Sequence, residues 1–391
     1  MVTFEQIQKL TKLRNGSFPV SSFYLHLWPD RRVHHTKLKD LIKEKQEKLS
    51  QNDRPKEVKR SVEEDLKRFQ EFVESFQESP YKGLVIFSCT AQKIWEVFSL
   101  KQPVRDLLVL DLSAYVRPLV SIFNDYRRTS VLLVDRTRAR VFEIFMGEME
   151  EQSEIFSDVP SKVREGGWYG LSEKRIDRHI EQHLHDHLKK VTEQAFLHFR
   201  EKGFDWLFLG GQSEILPAME DTLHPYLRER LKRTFRTDLD APPQEVLNKA
   251  LTLEQEVKKE EDCVLVSRLL NSLKPRGLGI SGIHETLSSL YEKNVYTLLV
   301  EEGYSQEGAY CTHCGFMGLR TGLCPICGKA MVPVPDIVDE AVATAIKQNS
   351  EVFHINPACG LKEIGSIGAL LRYAAVKKEE ARESILQAQV F

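Results

Sequence analysis

Four cysteines fall in two tight pairs, Cys311-x-x-Cys314 and Cys324-x-x-Cys327. One short knuckle of this spacing brings two thiolates onto a single metal ion. The nine-residue spacer between the pairs can fold back as a hairpin and complete a tetrahedron. Four thiolates leave no coordination position for water, so the pattern predicts a structural zinc ion, one per chain, and not a catalytic one. A redox dithiol is the competing reading. His313 lies between ligands and is not expected to be one.

A second stretch with chemical potential is Arg164-Glu165-Gly166-Gly167-Trp168-Tyr169-Gly170. Gly166 and Gly167 let the backbone approach a ligand and take positive φ angles. Lys162, Arg164, Lys174, Arg175 and Arg178 can meet phosphates, and Trp168 and Tyr169 can stack on exposed bases. The plain alternative is a surface loop whose aromatics cover the domain's own core.

Two further patterns invite chemistry and support it less. His179, His183 and His187 recur at four-residue steps, with His185 and His198 nearby, and two histidines four apart can share a zinc ion. No carboxylate stands at metalloprotease spacing, so the stripe reads as a helix flank. Gly210-Gly211-Gln212 ends a strand before a helix, where glycine is needed for tight geometry alone. Cys89 stands alone and reads as a core residue.

These residues need elements to hold them. The 391 residues suffice for two or three domains, and 41% hydrophobic with 29% charged residues is ordinary for a soluble protein. A net charge of −2 excludes a uniformly basic nucleic-acid binder but not a local basic face. No apolar run approaches the roughly 20 residues that span a bilayer. The first residues do not read as a signal peptide, and the odd count of 7 cysteines fits a reducing compartment better than a disulfide framework.

In the first segment, 1–128, alternation over Phe18 to Trp28 predicts a strand. Lys37 to Phe76 reads as two helices, with Pro55 in the first turn of the second and Asn52 or Asp53 as its cap. That helix turns Leu66, Phe69, Phe72, Val73 and Phe76 inward. Its other face mixes Lys56, Lys59, Arg60, Lys67 and Arg68 with Glu57, Glu63, Glu64 and Asp65, as a solvated surface does. Gly83 to Cys89 predicts a buried strand, with a hairpin partner at Ile94 to Val97.

In the middle segment, 129–248, Ser130 to Val134 and Ala139 to Phe145 predict a hairpin, with a third strand at Glu154 to Phe156. Apolar residues from Ile176 to Phe199 predict a helix about 45 Å long, capped by Ser172 and stopped by Gly203. Phe204 to Leu209 predicts the next strand, and Ser213 the cap of the next helix. In the third segment, 249–391, Leu251 to Leu273 reads as a helix and Gly277 to Gly282 as a loop. A helix over His284 to Tyr291, a strand over Val295 to Val300, the cysteine insert at about 308–331, a helix over Ile337 to Gln348 and a strand over Val352 to Ile355 then suggest an α/β sandwich.

Taken together, these residues resemble the archaeal and eukaryotic class-1 peptide-chain release factors and their relative Pelota, in a bacterial branch that includes the hibernation factor Balon. The likeness covers nearly the whole chain. Lys82 to Phe87 resembles the end of the family's first domain, and Val131 to Gly147 with the Gly166-Gly167 loop and its helix resembles the middle domain. The cysteine knuckles and Gly365-Ser366-Ile367-Gly368-Ala369-Leu370-Leu371-Arg372-Tyr373 resemble the ribosomal-protein-like third domain. The resemblance implies a mixed α/β and α+β protein of three domains, with a zinc ribbon inserted in an α/β-sandwich C-terminal domain.

Two departures from the family bear on activity. A release factor carries Gly-Gly-Gln in the loop before the long helix, where it helps water attack the peptidyl-tRNA ester. Here that position reads Gly166-Gly167-Trp168, and tryptophan has one N–H donor and no side-chain acceptor. A backbone N–H there can still stabilise an oxyanion. The Gly210-Gly211-Gln212 triplet follows the helix, where a catalytic tip cannot sit without turning the domain around. The stop-codon motif Asn-Ile-Lys-Ser has no counterpart near Gln51 to Lys56.

The resemblance then implies a cytoplasmic, tRNA-shaped factor, a monomer off the ribosome and without membrane contact, that fills the A site for hibernation or for rescue of stalled ribosomes. It implies contact with rRNA at the decoding site and the peptidyl-transferase centre. It also implies a translational GTPase such as elongation factor Tu at the C-terminal domain. The expected RNA-binding tip is Arg164, Gly166, Gly167, Trp168, Tyr169, Lys174, Arg175 and Arg178, with no catalytic residue. A peptidyl-tRNA hydrolase and an RNA-cleaving relative using the histidine stripe are the alternatives.

Overall fold

The computed structural model describes residues 4–12, 18–28, 30–51, 55–76, 81–125, 127–145, 147–156, 170–274 and 277–374. The chain divides into two compact units, one made of Met1–Asp125 with Lys259–Phe391 and the other of Tyr126–Lys258. The first and third segments read from the sequence therefore lie in one unit.

The chain starts with α1 (Phe4–Thr11), β1 (Val20–His26), α2 (Arg31–Gln51), α3 (Lys56–Ser75), β2 (Gly83–Cys89), β3 (Ile94–Leu100), β4 (Leu107–Asp111) and α4 (Arg117–Asp125). The four strands form an antiparallel sheet in the order β3-β2-β1-β4. Successive side chains of a strand point to opposite faces, so β1 serves two cores. Phe23 and Leu25 pack with Leu66, Phe69 and Val73 of α3, and Phe23 stacks on Phe69 at 5.1 Å. Val20 and Tyr24 join the larger core that the C-terminal segment completes.

Two local expectations for α3 need correction. Pro55 is itself the N-cap residue, with ψ 143° and no side-chain cap. Asp65 is not on the solvated face. It is fully buried and accepts hydrogen bonds from Ser21 Oγ (2.8 Å), Ser88 Oγ (2.6 Å), Thr90 N (2.9 Å) and Thr90 Oγ1 (2.6 Å). A buried carboxylate needs such donors, and strands β1 and β2 supply two of the hydroxyls.

The second unit contains β5 (Thr129–Val134), β6 (Arg138–Phe145), β7 (Glu148–Phe156), α5 (Gly170–Lys202), β8 (Trp206–Gly211), α6 (Leu216–Thr222), α7 (Pro225–Arg228) and β9 (Leu231–Arg236). α8 (Pro243–Ser272) begins in this unit and crosses the 248/249 boundary read from the sequence. The sheet order is β7-β6-β5-β8-β9, with β5, β8 and β9 mutually parallel. Leu132, Val134, Leu207 and Leu209 face α5, α6 and α7, while Val131, Leu133 and Phe208 face α8. Both faces are covered, as central parallel strands require. Ser213 does not cap α6, whose N-cap position is Ile215. Gly203 does end α5, at φ +65° with its N–H on the Phe199 carbonyl.

The C-terminal part adds β10 (Gly279–Ser281), α9 (Ile283–Tyr291), β11 (Val295–Glu301), β12 (Gly308–Tyr310), β13 (Met317–Gly318), β14 (Val332–Val334), α10 (Ile337–Lys347), β15 (Glu351–Ile355) and β16 (Ile367–Leu371). The stretch read as a loop at 277–282 is in part β10, an edge strand on β16. The sheet runs β10-β16-β11-β15, with β11 and β15 parallel and α10 in the crossover between them. The small sheet β13-β12-β14 is inserted between β11 and α10.

A buried polar cluster joins the two parts of this unit. The Arg117 guanidinium donates to Asp336 Oδ2 (3.2 Å), and its backbone N–H donates to Asp339 Oδ1 (2.9 Å). Ser113 Oγ donates to Glu340 (2.6 Å) and the Tyr115 hydroxyl to Asp336 (3.0 Å). Burial, and then the nearby Asp336 and Glu340, push the Asp339 carboxyl well above its ordinary range. Cys263 of α8 and Cys359 are joined by a disulfide. The seven cysteines thus divide into four in the insert, two in this one disulfide, and Cys89.

Candidate functional site

In the inserted sheet Cys311 lies just beyond β12, and Cys324 lies in a second turn between β13 and β14. Cys311 Sγ lies 3.5 Å from Cys327 Sγ, and Cys314 Sγ 3.5 Å from Cys324 Sγ. All four sulfurs are within 4.8 Å of one another, and among the described residues they are the one group able to hold a metal ion. Sulfurs about 2.3 Å from a central ion fit such a cluster.

Each knuckle turns through a glycine that immediately follows its second cysteine, Gly315 at φ +79° and Gly328 at φ +69°. The N–H of Gly315 returns to the Cys311 carbonyl and that of Gly328 to the Cys324 carbonyl, both at 2.8 Å. Those glycines were a readable part of the signature that the cysteine spacing alone does not include. Burial pulls the Cys311 thiol up, but the backbone N–H groups of Cys314 and His313 prevail and bring it down to about 7. His313 is exposed and lies outside the cluster. Phe316 and Met331 close the inner side, with the Tyr291 ring edge-on to Phe316 at 5.7 Å.

Of the expected RNA-binding tip, Arg164, Gly166, Gly167, Trp168 and Tyr169 lie outside the described residues. Lys174, Arg175 and Arg178 fall in the first turns of α5, where the backbone is helical and the side chains are outside the description. α5 itself has 33 residues, so it is about 50 Å long.

Among the described side chains the histidine stripe does not come together as an exposed group, and the His179 side chain lies outside the description. His185 is exposed and His183 half-buried, while His187 is buried. Burial holds the His187 imidazole below its ordinary range, against the Arg138 backbone and the Asp135 carboxylate. Gly210 and Gly211 have a packing role. A Cβ on Gly210 would meet Leu133 and Phe235 side chains, and one on Gly211 would meet the Val134 carbonyl oxygen. Gln212 is exposed just past the end of β8, and its carbonyl accepts from the N–H groups of Ile215 (3.0 Å) and Leu216 (3.4 Å).

These features define a release-factor-like translation factor. Residues 115–255 match the model of the bacterial archaeo-eukaryotic release factor family 10, and the chain is distantly similar to archaeal peptide chain release factor subunit 1 along nearly its whole length. It is 24% identical to peptide chain release factor subunit 1 of Pyrococcus abyssi over 94% of this chain and 97% of that protein. Among solved structures, an archaeal translation termination factor covers 95% of this chain and 99% of its own length at 17% identity, with a TM-score of 0.27. An archaeal Pelota, described as ribosome-bound, covers 95% and 94% at 12% identity with a TM-score of 0.42. No helix among the described residues is long and apolar enough to cross a membrane.

Proposed function

We propose that this chain is a non-catalytic translation factor that fills the ribosomal A site, in ribosome hibernation or in the rescue of stalled ribosomes. One observation carries the reading. In a chain similar to release factor along nearly its full length, the sequence shortly before α5 reads Gly166-Gly167-Trp168. An indole cannot both donate to and accept from an attacking water as an amide does. The glycines and the basic residues Arg164, Lys174, Arg175 and Arg178 keep the means to meet rRNA. The four-cysteine cluster holds one structural zinc ion, which closes the insert and takes no part in chemistry. The C-terminal part offers the site for a translational GTPase such as elongation factor Tu, and the place of action is the cytoplasm.

Sedimentation of tagged protein through sucrose gradients tests this. The protein should co-migrate with ribosomes from stationary, cold-shocked or translation-stalled cells, and Arg164→Ala with Arg175→Ala should weaken the association. Absence from the ribosome fractions in all three conditions would overturn the reading.

A second reading is peptidyl-tRNA hydrolysis, favoured by the name of the Pyrococcus relative, a peptide chain release factor. Release of labelled peptide from loaded ribosomes, abolished by Gly167→Ala and indifferent to Gln212→Ala, would establish it in place of the first.

A further inference from the structure

In the second unit, toward the C-terminal end of α5, three rings are held nearly parallel. Phe196 of α5 stacks on His224 with centroids 3.9 Å apart and planes 18° apart. Tyr226 lies 5.5 Å from His224 and 6.1 Å from Phe196, tilted by 12° from each. Tyr226 is 55% exposed, so much of its ring is open to solvent.

The group is fixed rather than loose. His224 Nδ1 accepts the Tyr226 N–H (3.4 Å), and Leu223 and Leu227 on either side are buried in the core beneath α5. The Arg230 guanidinium donates to the Tyr226 carbonyl (2.8 Å) and lies 4.3 Å over the Phe199 ring. Arg228 is pinned by the carbonyls of Glu220 (2.7 Å) and Asp221 (2.9 Å). Carboxylates reach Arg228 and Arg230 only at 3.9 Å, and Arg200, four residues beyond Phe196, is exposed with no ion pair among the described residues. Arg230 therefore lies beside the aromatic group, with Arg228 two residues from Tyr226 and Arg200 four residues from Phe196.

We propose that this surface binds single-stranded RNA, with a base stacked on Tyr226 and phosphates met by Arg200, Arg228 and Arg230. Parallel rings present π-faces to which any base can add, and guanidinium forks match phosphate oxygens. The charge of the arginines complements a nucleic-acid backbone and gives no advantage to an apolar protein partner. Phe196 lies 26 residues beyond the start of α5, roughly 40 Å along its axis, so this contact is far from the first turns of the helix. The inference deepens the ribosomal reading by naming a second RNA contact, and it rests on that reading only for where the RNA belongs.

Fluorescence anisotropy of the full chain with a labelled oligouridylate of about ten nucleotides, beside a duplex of equal length, tests it directly. The single strand should bind more tightly than the duplex. Tyr226→Ala should weaken binding about tenfold, Tyr226→Trp should preserve it, and Arg228→Gln should lower the salt slope by about one. Unchanged thermal midpoints would show that the exposed substitutions leave the fold intact. Equal binding by wild type and Tyr226→Ala would overturn the proposal. So would Tyr226-dependent capture of a protein from nuclease-treated lysate without oligonucleotide binding. Tyr226-dependent oligonucleotide binding by a chain that never sediments with ribosomes would sink the ribosomal reading alone.

Discussion

The paired cysteines and the Gly-Gly-Gln triplet are equally conspicuous in the sequence, and folding gives them different meanings. Cys311, Cys314, Cys324 and Cys327 converge until their sulfurs lie within 4.8 Å, and the single glycine that follows each pair shapes its turn. Gly210 and Gly211 instead lie inside β8, where neighbouring strands leave no room for a Cβ, and Gln212 points out of an ordinary strand-to-helix turn. A spacing that itself generates the geometry of a site can be trusted. One whose residues each answer a separate packing demand cannot. In the proposed reading, the working Gly-Gly is the one that precedes α5 in the sequence.

The sharpest way to break this contrast is to remove one sulfur. Cys324→Ser should reduce bound zinc from one ion per chain to none and leave the insert without a stable fold, because metal binding and folding are a single step in so small a sheet. Metal analysis and hydrogen exchange over 308–334 check it. Full metal content with undiminished protection would show that the cluster is not what closes the insert.

Next in size comes a centre that no motif announces. Arg117→Ala should cost about 3–5 kcal/mol in urea unfolding, since it leaves Asp336 buried without its cation. The same cluster sets a pH dependence. A carboxyl whose folded pKa lies above its unfolded value near 3.8 holds more protons in the folded state, so stability falls as pH rises from there toward the folded value. Asp339→Asn should flatten that fall. An Asn variant with the wild-type slope would move the effect to another group.

That cluster also marks where sequence reading ends. Periodicity revealed most long elements, from β1 and β2 to α5, β11 and α10, because each buries one face along a continuous stretch. It missed α1, β4, α4, α7 and β9, which are short or owe their stability to distant partners. Asp65 was read as solvated because its charged neighbours on α3 are. Its hydroxyl donors come from β1, β2 and the turn after β2, which no helical pattern can show. Ser113, Tyr115 and Arg117 meet residues more than 200 positions away, so the union of the first and last segments was equally hidden. The disulfide between Cys263 and Cys359 spans 96 positions with no spacing to suggest it. The four-cysteine cluster was legible for the opposite reason, as all four side chains come from one short stretch, Cys311 to Cys327.

The triplet offers smaller effects. Gly211→Ala should cost about 1–3 kcal/mol, because its Cβ would press on the Val134 carbonyl, and backbone cannot move aside as a side chain can. Gly210→Ala should cost less, since Leu133 and Phe235 can rearrange. Thermal or urea unfolding checks the order, and the reverse order would mean that β8 shifts as a unit.

Gln212→Ala should do least of all. The side chain is exposed, and the turn depends on the Gln212 carbonyl, which alanine retains. A surface change of this kind stays within about 0.5 kcal/mol. Ribosome association and any peptide release should likewise be unaltered, because the proposed reading assigns both roles to residues before α5 and Gln212 follows it. If Gln212→Ala abolished peptide release while leaving stability intact, the triplet after the helix would be the working one. The indole at Trp168 would then carry no argument about catalysis.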